Sequence, residues 1–179
     1  MVKIIPTIFA EGELVYTDGG FLAEHAWLLV VLPFVAALVI TFFGKYFPLK
    51  GAEVALATIG VIFLYSTALM YLHITNGVVN EFFINVGSIG VYDIEFGWVV
   101  DGLSIMMYFV VGTVALLVFI YATNYMEGEI RYTFFFTSLT LFAGSMLVLV
   151  SSPTLIQILI GWELVGVCSY PVSYTHLTL

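Results

Sequence analysis

The residue with the clearest chemical potential in this sequence is Glu163, which stands inside the apolar run LIGWELVGVCSY over residues 159–170. A carboxylate near the bilayer centre costs at least ~2.5–3.5 kcal/mol on insertion scales, so an acid at that depth is a candidate functional group. The apolar pattern continues for seven residues beyond Glu163, which argues against an acid that reaches water at a helix end. We therefore predict a buried carboxylate that gains and loses a proton.

The other ionisable residues fit structural roles better. Asp101 stands where an apolar run begins, so we expect it to cap that helix rather than to take a direct part in ion transfer. Glu127 and Glu129 fit a solvated loop. His25 and His73 have no second ligand at metal spacing, so the sequence gives no reason to expect a metal site.

The composition is that of an integral membrane protein. Hydrophobic residues make up 62% of the chain, charged residues only 9%, and the mean hydropathy is +1.13. Such a chain has too few polar groups to cover a surface in water, so we expect the lipid bilayer around it. The net charge of −8, with only four Lys and Arg residues, argues against nucleic-acid binding. The lone Cys168 excludes an intramolecular disulfide.

Uncharged gaps between charged residues predict the membrane spans. Three gaps of 20, 27 and 25 residues each have room for one helix of ~20 residues. These gaps are Glu24 to Lys45, Glu53 to Glu81, and Asp101 to Glu127. A fourth gap, from Arg131 to Glu163, holds 31 residues and is divided by SSPT, which predicts a fourth helix over residues 133–150. Ser152 is the expected N-cap of a fifth helix and Pro153 its first residue.

The predicted fifth helix carries Glu163 to the middle of the membrane. At ~1.5 Å per residue, Glu163 lies about 15 Å beyond Pro153, which is half of a ~30 Å hydrocarbon core. In the fourth helix, Thr137, Thr140 and Gly144 share one face, and small or hydroxylated residues at this spacing favour close helix packing over a pore lining.

One segment between the second and third helices predicts strand instead of helix. VYDIEFGW alternates apolar and polar residues, and with FFINV it indicates a β-hairpin. An open sheet edge is not tolerated in lipid, so the hairpin should lie at the outer membrane surface. The predicted fold is thus an all-α polytopic membrane protein of about five transmembrane helices, with a short hairpin between the second and third.

The few basic residues predict the orientation. Lys45 and Lys50 fall between helices one and two, and Arg131 falls between helices three and four, two loops that alternation puts on one side. The positive-inside rule makes that side cytoplasmic. The N-terminus then faces outward, with residues 1–25 as an extramembrane lead-in. The expected location is the cytoplasmic membrane of a bacterium or archaeon rather than the mitochondrial inner membrane.

Three stretches, taken in order and spacing, resemble a known family. They are VDGLSIMM, YATNYMEGEIRYTFFF and LFAGSMLVLVSSPTLIQILIGWELVGVCSY. Over residues 82–170 they resemble the N-terminal part of the antiporter-like chain 5 (L) subunit of proton-pumping NADH:quinone oxidoreductase, respiratory complex I. The resemblance implies a truncated antiporter-like fold. Helices one and two would occupy residues 26–81, the chain 5 N-terminal region 82–150, and the beginning of the proton-translocating domain 151–170.

The resemblance also implies roles for residues and partners. Glu163 matches the family's helix-five glutamate, which is thought to transfer protons by pairing with a lysine two helices later, and Asp101 matches its helix-three aspartate. The enzyme would be a proton-translocating NADH:quinone oxidoreductase whose partners include the other membrane-arm subunits. This chain would hold no cofactor and carry no redox chemistry, whereas NADH, FMN, iron–sulfur clusters and quinone would belong to partner subunits.

Other interpretations stay open at the sequence level. A Mrp-type cation/proton antiporter without redox activity needs the same acid at the membrane midplane. A helical scaffold could also bury an inert glutamate. The tail PVSYTHLTL departs from the family's apolar continuation, and Pro171 inside a helix costs ~3 kcal/mol or more, so we expect residues 171–179 to be non-native.

Overall fold

The described part of the chain forms six helices and one two-stranded antiparallel sheet. The computed structural model describes residues 20–77, 79–89, 92–128 and 131–174. The helices are α1 (Gly20–Glu24), α2 (Trp27–Phe43), α3 (Ala52–Asn76), α4 (Gly102–Tyr125), α5 (Tyr132–Ser151) and α6 (Leu155–Tyr174). The strands β1 (Asn80–Ile89) and β2 (Tyr92–Val100) lie between α3 and α4, and a 3-10 turn, Gly44–Tyr46, follows α2.

Four of these helices are long and apolar enough to cross a membrane by length and composition. They are α2 with its following turn (Trp27–Tyr46), α3, α4 and α5. The first 15 residues of α6, Leu155–Ser169, add a shorter apolar helix. These five elements correspond to the five predicted helices, so the expected fold class, an all-α polytopic membrane protein with a short hairpin, is confirmed.

The hairpin forms where the alternating pattern predicts it. β1 and β2 are antiparallel, with Phe82 opposite Trp98 and Phe83 opposite Gly97, and the register shifts at a bulge between Asn85 and Gly87. The rings of Phe82 and Trp98 stack with centroids 4.5 Å apart, the kind of cross-strand aromatic pair that stabilises a sheet.

The beginning of α6 differs from the prediction by two residues. The N-cap is Thr154 and not Ser152: the Thr154 hydroxyl oxygen accepts from the Gln157 N–H at 3.4 Å. Ser152 instead belongs to the end of α5, since its hydroxyl donates to the Val148 carbonyl at 2.5 Å. Pro153 therefore separates the two helices, and α6 extends past Pro171 to Tyr174. That residues 171–179 are non-native stays a prediction.

Helix α5 holds the bundle together because it packs against both α2 and α6, while α3 packs mainly against α4. Thr137, Ser138, Thr140 and Ser145 of α5 are all buried, and each hydroxyl donates to a carbonyl one turn earlier in the same helix. Hydrogen bonds of this kind offset the desolvation cost of burying hydroxyl groups in a helix interface. Close packing of this face, as predicted, is confirmed.

Glycines let the helices approach at several of these contacts. A methyl group added at Gly144 would lie 3.1 Å from Pro33 Cγ and 3.2 Å from Phe34 Cε2, both on α2. Between α3 and α4, the same addition at Gly112 would lie 3.2 Å from the Ser66 hydroxyl. Small residues at such crossings are typical of helix pairs in membranes, where close van der Waals contact drives association.

The predicted grouping of the basic residues is confirmed at one end of the bundle. The Thr133 hydroxyl, at the beginning of α5, donates to the Lys50 carbonyl at 3.0 Å. This contact brings the α2–α3 loop, with Lys45 and Lys50, next to Arg131. Residues 1–19 of the predicted lead-in, residues 1–25, lie outside the described residues. Within α1, the Leu22 carbonyl accepts from the Tyr65 hydroxyl of α3 at 2.5 Å.

Candidate proton-transfer site

Glu163 lies in the middle of α6. It is eight residues beyond Leu155, about 12 Å along a 20-residue helix that is about 30 Å long. Its side chain is exposed on the surface that the described residues form, and it makes no hydrogen bond or ion pair with any of them. None of the described helices buries Glu163, so the predicted burial requires lipid or a further polypeptide segment.

The surface around Glu163 is otherwise apolar. Leu159 precedes it by one turn, Trp162 is 61% exposed and Val167 is 66% exposed. Gly166 leaves open space beside the acid, since a methyl group added there would meet no atom within 4 Å. A carboxylate thus stands on an apolar helix face with room next to it for water or a side chain.

The opposite face of α6 is the one that packs against α5. Gly161 allows this contact, because a methyl group added there would come within 3.0 Å of both the backbone N and Cα of Leu149. Two turns further along, Cys168 is 8% exposed, and its sulfur lies 3.8 Å from the Ser145 hydroxyl. Cys168 is therefore a small packed residue of the helix interface. Contact with α5 on this side turns Glu163 away from the described helices.

Asp101 has the geometry of a helix cap. Its backbone is extended, with φ −110° and ψ 176°, and its carboxylate accepts from the Ser104 N–H at 2.7 Å, at the beginning of α4. The following Gly102 packs against α3, because a methyl group added there would lie 2.9 Å from His73 Nε2. The predicted cap is confirmed, and Asp101 and Glu163 lie on different helices with separate surroundings.

The remaining ionisable candidates occupy local positions. Glu127 is exposed in the turn after α4, as a solvated loop predicts, and Glu129 lies outside the described residues. The Nδ1 of His25 lies 2.8 Å from the Phe21 carbonyl, and the two rings contact each other at 4.2 Å between centroids. In the described part of the chain, no three His, Cys, Asp or Glu side chains lie close enough together to hold a metal ion.

One polar residue near the beginning of α6 is not among the sequence-based candidates. Gln157 is 7% exposed, and its amide bonds to both backbone groups of Gly97 in β2. The sequence carries a partial signal for this region, since Thr154 and Gln157 have the spacing of a capping box. This spacing identifies Thr154 as a helix cap. The contact between Gln157 and Gly97 joins residues 60 positions apart and follows only from the tertiary structure.

Comparison with known proteins identifies one family. The family model described as NADH-ubiquinone oxidoreductase (complex I), chain 5 N-terminus, matches residues 84–136. Over 156 residues the chain is 40% identical to NAD(P)H-quinone oxidoreductase chain 5 of Synechocystis, covering 83% of this chain and 23% of that protein. A chain 5 protein of Picosynechococcus is 38% identical over 157 residues, covering 83% of this chain and 24% of the relative.

A chloroplast protein is similar to the same extent. NAD(P)H-quinone oxidoreductase subunit 5 of Cryptomeria japonica is 38% identical over 158 residues, covering 84% of this chain and 21% of the relative. The chain thus spans about a quarter of the length of the curated relatives it matches. By its sequence, this chain belongs to the complex I chain 5 family and corresponds to the N-terminal region of that family.

Proposed function

We propose that the full-length protein translocates protons as a membrane-arm subunit of an NADH:quinone oxidoreductase, and that Glu163 is the proton-carrying group of this region. The observation that carries the proposal is the position of one carboxylate: it lies midway along an apolar helix, on a face that no described helix covers. Ionisable groups at membrane depth face the interior of a bundle or a water-filled cavity, because hydrocarbon solvates charge poorly.

The chemistry follows from how surroundings change the charge of an acid. In apolar surroundings a carboxyl group favours the neutral, protonated form, and a cation brought close to it favours the charged form. A cation that approaches Glu163 would release its proton, and a cation that withdraws would let the acid take up another. The sequence has no Lys or Arg within the five helices, so the cation would come from a further segment of the protein or complex.

The energy for this cycle would come from partner subunits. The chain carries one cysteine, whereas a cubane iron–sulfur cluster needs four cysteine thiolates. Iron–sulfur clusters would therefore be held elsewhere in the complex. We propose that NADH, FMN and quinone bind to partner subunits as well, and that the redox reaction there drives motion of the cation. Contact with other membrane-arm subunits and with lipid is part of the proposal.

The proposed orientation places Lys45, Lys50 and Arg131 on the cytoplasmic side and the N-terminus outside. It is supported by the contact that joins the beginning of α5 to the α2–α3 loop, which gathers these basic residues at one end. The hairpin then lies at the opposite, outer end, because β1 follows α3 and β2 precedes α4. The membrane would be the cytoplasmic membrane of a bacterium or archaeon.

The test is replacement of Glu163 by Gln in the full-length protein within the assembled complex. Glutamine keeps the size and polarity of the side chain but cannot titrate. Proton uptake into membrane vesicles per NADH oxidised should fall by at least half. Glu127→Gln, which neutralises an exposed loop acid, is the matched control and should leave this ratio unchanged.

An unchanged proton-to-electron ratio in Glu163→Gln would reject the assignment. The same vesicles also separate redox-linked pumping from simple antiport. Proton movement that needs a sodium gradient and is insensitive to NADH would instead identify a Mrp-type cation/proton antiporter.

A further inference from the structure

We propose that Gln157 is a positioning residue that fixes the rotation and depth of α6, and thereby the direction in which Glu163 points. The inference rests on the proposed role of Glu163. It begins from the Gln157 anchor, by which we mean the two hydrogen bonds between the Gln157 amide and the backbone of Gly97. The Gly97 N–H donates to Gln157 Oε1 at 3.0 Å, and Gln157 Nε2 donates to the Gly97 carbonyl at 2.8 Å.

A second contact ties the same turn of α6 to the same strand. The Thr154 hydroxyl donates to the Glu95 carbonyl at 3.2 Å, two residues before Gly97 in β2. The first turn of α6 therefore binds the edge of β2 at two points. Because Gln157 and Gly97 are both buried, the anchor is shielded from competition with water.

The strand is packed closely against its partner strand at this anchor. A methyl group added at Gly97 would overlap the carbonyl oxygen of Phe82 in β1 and would lie 3.2 Å from Phe83 Cα. Gly97 is thus held between β1 on one side and the Gln157 amide on the other. The hairpin forms a fixed base against which α6 is docked.

The anchor belongs to the face of α6 that packs against the rest of the protein. Gln157, Gly161 and Cys168 follow one another at spacings of four and seven residues, which places them on one side of a helix. Glu163 is six residues from Gln157, about 9 Å along the axis and roughly 240° around it. A rotation of α6 by one residue, about 100°, would carry the acid out of its present direction.

An amide side chain of this length satisfies both groups of Gly97 without any change of protonation. Leucine would leave the Gly97 N–H and carbonyl without a partner. Glutamate has the right shape, but only its protonated form can donate to the Gly97 carbonyl, whereas its carboxylate form would oppose that carbonyl. The absence of a side chain at Gly161 determines how closely α6 approaches α5, but this contact includes no hydrogen bond that would fix the rotation of α6. The anchor is therefore the contact that determines the rotation of α6.

The experiment measures the orientation of α6 directly. Spin labels are attached to cysteines introduced at Val35 of α2 and Val167 of α6, both exposed, in a full-length protein whose Cys168 and other reactive cysteines are replaced. Electron–electron double resonance gives the distance distribution between them in the assembled complex. Gln157→Leu should shift the distribution by roughly 5 Å or broaden it, because a turn of about 100° moves a surface label by this much.

Ser169→Ala is the matched control on the same helix. The Ser169 hydroxyl donates only within α6, to the Val165 carbonyl at 2.8 Å, so its loss should leave the distances unchanged. Where Gln157→Leu does not assemble, Gln157→Met carries the test, since methionine has a similar length and volume but cannot donate a hydrogen bond and accepts only weakly. Proton uptake per NADH should fall by at least half in the variants whose distances shift.

The two proposals fail separately. Unchanged distances in both Gln157→Leu and Gln157→Met would overturn the anchor, whatever the effect of replacing Glu163. Full proton uptake in Glu163→Gln would overturn the role of the acid, while the distances would still test the anchor. Shifted distances with undiminished proton uptake would show that the anchor does not act on Glu163, which also contradicts the inference.

Discussion

At the scale of single residues, Asp101 and Glu163 are similar acids in different surroundings. Asp101 is engaged by the Ser104 N–H at the positive end of α4, where its charge is stabilised. Glu163 has no described partner and stands on an apolar helix surface. In the proposed function, Glu163 exchanges a proton as its surroundings change, whereas Asp101 serves as a helix cap.

Asp101→Ala should destabilise the assembled protein by about 1 kcal/mol through loss of the cap on α4. The measurement is the midpoint of denaturation in detergent. Asp101→Asn is the control, because asparagine caps a helix about as well as aspartate but carries no charge. If Asp101→Asn keeps the stability of the native chain but loses proton uptake, Asp101 acts in ion transfer and is more than a cap.

At the scale of elements, α5 and α6 form the interface that orients the candidate site. Gly161 brings the α6 backbone next to Leu149, and Cys168 packs near Ser145 further along the same face. The hydroxyls of α5 are satisfied within their own helix, so the interface gains close contact without unpaired polar groups. Directional bonding comes instead from the hairpin, through the Gln157 anchor.

Gly161→Ala should push α6 away from α5 and destabilise the protein by about 1–3 kcal/mol, because the added methyl group meets backbone atoms of Leu149 that cannot rotate aside. Gly166→Ala, on the open face of the same helix, is the matched control. It should be neutral or stabilising by up to ~1 kcal/mol, since alanine favours helix over glycine. Equal denaturation midpoints for the two variants would mean that the α5–α6 contact does not limit stability.

At the scale of the whole molecule, the described bundle leaves one side of α6 uncovered and gathers its basic residues at one end. Lys50 and Arg131 are connected through Thr133, whose hydroxyl joins the α2–α3 loop to α5. The uncovered side carries Glu163 together with exposed apolar residues such as Trp162 and Val167. In the proposed function, this side faces the rest of the proton pathway and α5 forms its support.

Cysteine labelling tests the orientation of the bundle. Cysteines introduced at Lys50 and Arg131 should react from the same side of sealed vesicles, the cytoplasmic side, because both positions lie at one end and the positive-inside rule assigns it. A cysteine at Thr75, near the other end of α3 and exposed, should react only from outside. A membrane-impermeant maleimide and mass spectrometry give the pattern, and labelling of Thr75 from the same side as Lys50 would contradict this topology.

The amino-acid sequence by itself determined the five apolar helices, the hairpin, the cap at Asp101 and the candidate acid. These features depend on hydrophobic runs, alternation and capping residues, which are local and can be read along the chain. The predicted N-cap of α6 was wrong by two residues, because the residue types of Ser152 and Thr154 are both suited to capping. In the structure, the Ser152 hydroxyl bonds to the end of α5, and Thr154 caps α6.

Only the tertiary structure decided which way Glu163 faces and what holds it there. The face of α6 that packs is set by Gly161 against Leu149 and by Gln157 against Gly97, contacts between residues that are far apart in the sequence. An apolar helix with polar residues at several angles has no single preferred face, so its pattern alone leaves its rotation open. The rotation of α6 is fixed by directional hydrogen bonds between Gln157 and Gly97, and the position of Gly97 depends on the rest of the fold.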